Sequence, residues 1–264
     1  AGADSMNGEA GMDTLFGQGG SGDELRGGAG DDVLDGGDGT DIVVEEADTD
    51  FDLDDDVLEG GAATGTDSLT SLELGRLTGG ASGNTINAED FSGFTTLNGG
   101  AGNDVITASA GGSLVNAGDD DDLVTGSDMF DMILGEGGND TVMAGGGDDD
   151  VSGGDDDDVL NGGLGNDTVD GDAGNDRVLG SVFADYGNQL ATDLMTLNDT
   201  DEDSLLGGTG DDTLVGGLGS DEVDGEAGAD VVDVTSGGDE TDGIDTVTGD
   251  MADTIFRDPG DMLI

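Results

Sequence analysis

The chain of 264 residues contains no cysteine, histidine, lysine or tryptophan, and it has one proline and only eight aromatic side chains, seven Phe and one Tyr. These gaps remove whole classes of chemistry. Without Cys, His or Lys there is no thiol or imidazole nucleophile, no Schiff-base lysine, and no zinc or haem site of the usual kinds. Four basic side chains, Arg26, Arg76, Arg177 and Arg257, are too few to neutralise a phosphate backbone, so no nucleic-acid partner is expected. No apolar run reaches membrane-spanning length and no signal-peptide pattern opens the chain, so no membrane insertion is expected. With no disulfide available, an extracellular fold needs some other staple.

What the chain has in excess is acid and glycine. It carries 65 acidic residues for a net charge of -61, and 53 of them are Asp; Gly adds 56. Asp and Gly suit turns, whereas an acidic helical protein would lean on Glu. A charge this large with few aromatics is ordinarily the composition of a disordered, solvating chain. The placement of the acids decides otherwise.

From Gly99 to Leu179 the chain divides without gap into nine nonapeptides: GGAGNDVIT, ASAGGSLVN, AGDDDDLVT, GSDMFDMIL, GEGGNDTVM, AGGGDDDVS, GGDDDDVLN, GGLGNDTVD and GDAGNDRVL. Position six is Asp in every copy except at Ser113, and position eight is always Ile, Val or Leu. The same phase occurs in GEAGMDTLF from Gly8, GGAGDDVLD from Gly27 and GGDGTDIVV from Gly36, and again in GGTGDDTLV from Gly207, GGLGSDEVD from Gly216 and GEAGADVVD from Gly225. Between 45 and 98 most Gly-Gly pairs are missing, yet Leu77 to Ile86 and Leu97 to Ile106 keep the spacing of nine, which predicts degenerate coils of one architecture. In 180-206, Tyr186, Leu190 and Leu194 fall at spacing four and predict a short helix or capping loop.

Around position eight, three residues can form a short strand, while the Gly-rich remainder must turn. So short a strand is unstable alone, and stacking coils about 4.8 Å apart pairs their backbones. Two nonapeptides per coil put repeats n and n+2 one above the other. Position-six carboxylates then form columns, such as Asp122, Asp140 and Asp158 on one edge and Asp131, Asp149 and Asp167 on the other. Unneutralised columns would repel. Hard oxygen ligands at this spacing, joined by turn carbonyls, suit Ca2+ better than Mg2+, which demands a rigid octahedron.

The GGxGxDxUx pattern resembles the RTX (repeats-in-toxin) calcium-binding proteins. The resemblance implies an all-β fold, a right-handed parallel β-roll or β-helix solenoid of nonapeptide repeats with irregular inserts. It implies multiple Ca2+ ions between turns n and n+2, with the position-six Asp as side-chain ligand. Carried over residue by residue, that role falls on Asp13, Asp32, Asp41, Asp104, Asp122, Asp131, Asp140, Asp149, Asp158, Asp167, Asp176, Asp212, Asp221 and Asp230. Asp23, Asp239, Asp245 and Asp253 lie where the register slips and are left unassigned. Asp at position five, as in Asp31, Asp121 and Asp211, alternates with Asn103, Asn139 and Asn166, which assigns it to turn chemistry. Residues 41-98 also resemble the spacer modules between such blocks in large bacterial surface proteins, on GTDSLTSLE and FTTLNGGAGND.

The expected organisation is β-roll repeats over 1-44, a degenerate β-solenoid spacer over 45-98, the main nine-repeat β-roll over 99-179, an insert over 180-206, and a C-terminal β-roll and cap over 207-264. Clustered carboxylates could suggest a glycosidase, but a flat solenoid edge offers no cleft, and no enzyme is expected. Phe91, Phe94, Phe183 and Tyr186 are read as capping or packing residues. The ending Asp261 to Ile264 resembles an acidic-then-apolar export signal, although Leu263 also continues position eight. Since Asp4 and Met6 are already in phase, the chain reads as a piece of something longer.

The resemblance implies export from a Gram-negative bacterium by type I secretion to an extracellular or cell-surface location. The function expected is a calcium-binding structural or surface scaffold that folds on meeting extracellular Ca2+, with end-to-end self-association or cell-surface attachment as candidate interactions. The alternatives are the secretion and folding module of an exported enzyme or toxin, or a subunit of an extracellular filament or adhesin.

Overall fold

A computed structural model describes residues 2-181, 202-217, 220-234, 246-248, 254-257 and 262-263. The chain divides into two compact units, Ala1–Asp128 and Met129–Ile264.

In the first unit, strands alternate between two ladders. They are β1 (Ser5–Asn7), β2 (Thr14–Phe16), β3 (Glu24–Arg26), β4 (Val33–Asp35), β5 (Ile42–Glu46), β6 (Phe51–Leu53), β7 (Val57–Gly60), β8 (Gly65–Thr70), β9 (Leu74–Thr78), β10 (Thr85–Asn87), β11 (Phe94–Ala101), β12 (Val105–Thr107), β13 (Ser113–Asp119) and β14 (Leu123–Thr125). The first ladder runs β1-β3-β5-β9-β11-β13, parallel at each of its pairings. The second runs β2-β4-β8-β7-β6-β10-β12-β14.

Position-eight side chains stack directly, with Ile86 beside Ile106 and Ile106 beside Val124. Leu25, Leu34, Val43, Leu77, Leu97 and Val115 are fully buried with them. A triplet strand contributes one such side chain, and full burial of each is worth about 1.5–3 kcal/mol. The core is thus a thin column of aliphatic layers, one per strand.

The spacer departs from degenerate coils in one stretch. While β9 to β12 carry Leu77, Ile86, Leu97 and Ile106 at the expected spacing, β6, β7 and β8 form an antiparallel meander inserted between β4 and β10. One helical turn, α1 (Gly61–Thr64), joins β7 to β8. The meander holds because Phe51, Leu53 and Leu58 alternate with polar residues and turn into the core with Phe91. Phe91 is therefore a packing residue, whereas Phe94 stands partly exposed.

The second unit contains β15 (Met132–Gly137), β16 (Thr141–Gly146), β17 (Asp150–Asp155), β18 (Val159–Leu164), β19 (Thr168–Ala173), β20 (Arg177–Ser181), β21 (Ser204–Leu206), β22 (Thr213–Val215), β23 (Glu222–Asp224), β24 (Val231–Val234), β25 (Thr246–Thr248), β26 (Thr254–Arg257) and β27 (Met262–Leu263). Odd-numbered strands form one parallel ladder and even-numbered strands the other. The register steps by 18 residues through most of the unit, as in Thr141↔Val159, but Thr168 pairs with Ser204 and Arg177 with Thr213, one extra coil length later, and toward the C-terminal end Glu222 pairs with Thr246, Val231 with Thr254 and Thr246 with Met262. Tyr186, Leu190, Leu194 and Phe183, and with them the expected short helix, lie outside the described residues.

Candidate calcium cradles at the solenoid edges

The residue two before each buried strand centre is the position-six Asp. The strand geometry fixes its side chain inside the turn, on the same face as the aliphatic core. Thirteen of the fourteen Asp residues read from the repeat are buried and Asp13 is half-buried.

Each carboxylate first caps its neighbour. Oδ1 of Asp149 accepts the Asp131 backbone N–H at 2.8 Å, that of Asp167 accepts from Asp149 at 2.9 Å, and that of Asp221 accepts from Asp203 at 3.1 Å. On the other edge Asp140 donates to Asp158, Asp158 to Asp176, Asp176 to Asp212 and Asp212 to Asp230, at 2.7–2.9 Å. In the first unit Asp13 donates to Asp32, Asp23 to Asp41 and Asp104 to Asp122. The columns inferred from spacing exist within each unit. They are runs of hydrogen-bonded carboxylates.

The second oxygen is what points to a cation. In Asp13, Asp32, Asp41, Asp104, Asp149, Asp158, Asp176 and Asp212, Oδ2 is buried with no hydrogen-bond partner. A buried carboxylate oxygen left so is costly. Gly at position one, present in most copies, leaves the cradle open. A Cβ on Gly171 would lie 2.7 Å from Asp176 Oδ2 and 2.5 Å from the Gly207 carbonyl; on Gly207 it would lie 2.8 Å from both Asp212 Oδ2 and the Gly225 carbonyl. Carboxylate and main-chain oxygens of successive coils thus converge on one spot. Position two adopts positive φ, as at Gly163 (112°), so the turn can fold back over it.

Burial dominates the electrostatics. Loss of solvent pushes the Asp149 and Asp158 carboxyls up to about 7, and those of Asp176 and Asp212 up to about 6, against partial relief from the backbone N–H each accepts. Among the described residues no three acidic side chains make a metal cluster by themselves. Any cation here therefore needs main-chain carbonyls as well, and the glycine-gated spots supply them. Hard oxygen donors of this mixed kind fit Ca2+.

The structure also places residues that the repeat phase did not assign. Asp203 and Asp23 are buried members of the columns, each accepting a neighbour's backbone N–H. Both begin the string D-x-U-x-G-G, Asp203-Ser-Leu-Leu-Gly-Gly and Asp23-Glu-Leu-Arg-Gly-Gly, a signal more robust than counting nines. Asp67 and Glu73 cap Asp32 and Asp41. Where position six lacks acid, Ser113 joins a buried hydroxyl network with Thr95 and Ser109, 2.7 Å from Thr95 Oγ1 and accepting the Ser109 N–H at 3.0 Å. One edge of the first unit is therefore neutral across Gly75, Thr95 and Ser113. Position-five side chains form an exposed ladder instead, for example Asp157 accepting the Asn175 N–H at 2.8 Å and Asn175 accepting that of Asp211 at 3.0 Å.

The family model for the RTX calcium-binding nonapeptide repeat (4 copies) matches residues 1–22, 19–51, 91–124, 116–151, 125–160, 152–186 and 199–240, together more than half of the chain. No curated protein matches. Among solved structures, the crystal structure of a hyperactive, Ca2+-dependent, beta-helical antifreeze protein from an Antarctic bacterium is similar over 97% of this chain and 80% of its own, with TM-score 0.53 and 18% identity. At that identity the likeness is one of fold.

Proposed function

Since the chain belongs to the RTX calcium-binding nonapeptide repeat family, we propose that it is an exported calcium-binding β-roll that folds on meeting extracellular Ca2+ and serves as a structural or surface scaffold. The observation that carries this reading is the row of buried Asp Oδ2 atoms without hydrogen-bond partners, several of which, as at Asp158, Asp176 and Asp212, face a glycine-gated spot.

Asp13, Asp32, Asp41, Asp104, Asp122, Asp131, Asp140, Asp149, Asp158, Asp167, Asp176, Asp212, Asp221 and Asp230 are the proposed side-chain ligands, and Asp23 and Asp203 join them on their column positions. When bound, calcium supplies the positive charge that four arginines cannot. The Asp residues hold backbone register through Oδ1 and present Oδ2 to the ion, so one side chain both splices adjacent coils and recognises the metal. Without the ion, a net charge of -61 opposes collapse and keeps the chain extended, the form in which an unfolded export route can carry it. With the ion, binding free energy becomes folding free energy. A scaffold role is supported by the repeat itself, which fills most of the chain.

Far-UV circular dichroism during a calcium titration tests the reading. Little β-structure in chelator and a cooperative gain with millimolar calcium are expected; β-structure complete in chelator would overturn it.

A further inference from the structure

The cradle at Gly27 differs in composition from its counterparts. At Gly8, Gly153, Gly162, Gly171 and Gly207 the two nearest oxygens are one Asp Oδ2 and one glycine carbonyl. At Gly27 they are two carboxylate oxygens, Asp67 Oδ2 at 2.5 Å and Asp32 Oδ2 at 2.7 Å from the same point. Asp67 comes from β8 of the meander, and the family model skips its segment between residues 51 and 91. Both side chains are buried, Asp32 at 2% and Asp67 at 1% exposure, and Asp32 Oδ2 has no hydrogen-bond partner.

A third acid closes on the same turn. Glu45 of β5, 2% exposed, accepts the Gly28 backbone N–H on Oε1 at 2.9 Å. Arg26, on the adjacent strand, pairs with the neighbouring Glu46 at 3.5 Å. Asp32 also donates its backbone N–H to Asp67 Oδ1 at 3.0 Å, which holds the two carboxylates together rather than letting them part. Like charges this close and this dry demand a counter-ion.

We propose that Asp32 and Asp67, with Glu45 adding charge from the adjacent strand, form a composite divalent-cation site that binds calcium more tightly than the one-carboxylate cradles of the repeats. The proposal rests on the calcium-binding reading of the chain and goes beyond it in assigning a ligand from outside the repeats. Charge count sets affinity among oxygen-only calcium sites, so doubling the carboxylates strengthens this one. Its occupation ties the meander to the first repeats, since Asp67 and Asp32 belong to different segments.

The test is a calcium titration of the full chain in competition with a chromophoric chelator, which resolves the first, tightest equivalent. Asp67→Asn, which preserves the Oδ1 acceptor, is expected to weaken that first equivalent at least tenfold and leave the later ones unchanged. Glu45→Gln is expected to weaken the same equivalent severalfold, and Asp149→Asn to leave it intact. An unaltered first equivalent in Asp67→Asn, or its loss in Asp149→Asn, overturns the proposal alone. A wild-type chain that takes up no calcium overturns this proposal and the calcium-binding reading together.

Discussion

Acidifying the metal-free chain should build β-structure, the reverse of ordinary acid denaturation. Asp149 and Asp158 titrate at about 7 in the fold, and Asp176 and Asp212 at about 6, against 3.8 when solvated. A rise from 3.8 to about 7 corresponds to roughly 4 kcal/mol of penalty on the ionised form, and a rise to about 6 to roughly 3 kcal/mol. A few such groups consume the 5–15 kcal/mol by which a typical domain is stable. Because the folded pKa lies above the unfolded one, the fold binds more protons between the two values. Stability of the metal-free fold is therefore fullest near pH 4, falls as pH rises through 6 to 7, and stays low above that.

The assay is far-UV circular dichroism in chelator from pH 8 down to pH 5, which stays clear of precipitation near the isoelectric point of 4.1. More β-structure at pH 5 than at pH 8 is expected. In parallel, the calcium midpoint should rise as pH falls, with protons released on binding, visible by calorimetry in buffers of different ionisation enthalpy. Superimposable metal-free spectra across that range, or β-structure in chelator that grows with pH, would refute the reasoning.

Gly162→Ala places a Cβ 2.5 Å from Asp167 Oδ2 and 2.8 Å from the Gly180 carbonyl, and is expected to raise the calcium midpoint at least tenfold; Gly137→Ala, with open space around it, should leave the midpoint where it is. Leu160→Ala empties a fully buried layer and should cost about 2–5 kcal/mol in urea unfolding at saturating calcium, with a loss under about 1 kcal/mol counting against the layered core. Deleting residues 183–200 removes 18 residues, the excess in the Thr168 to Ser204 step, and should leave calcium-dependent folding intact by circular dichroism; a chain that no longer folds would show that the excess is not neutral.

The ladders were legible because β-branched and Leu side chains recur every nine residues and an inward position tolerates nothing else. Asp carries the columns for the same reason: one place in each turn faces inward and must meet a backbone N–H. Legibility failed where local and periodic cues diverged. The run Asp54-Asp55-Asp56, inside the stretch expected to form degenerate coils, makes the turn of a hairpin, with the Asp54 N–H donating to the Val57 carbonyl at 2.8 Å. Three-residue strands such as Phe-Asp-Leu carry too little alternation to announce an antiparallel partner. Asp67 was hidden twice over, because its repeat lacks the Gly-Gly pair and its strand pairs with β7 as well as β4. Asp203 was masked by the acidic run that precedes it.

In the first unit, Ser5 to Glu24 is a step of 19 and Leu77 to Leu97 a step of 20, yet each strand still meets its neighbour in register. Extra residues are absorbed wholly in the turns, while the triplets stay fixed by their inward side chains. For protein engineering this makes the edges, not the faces, the graft sites: a turn can change its residue count while the strands on either side keep theirs.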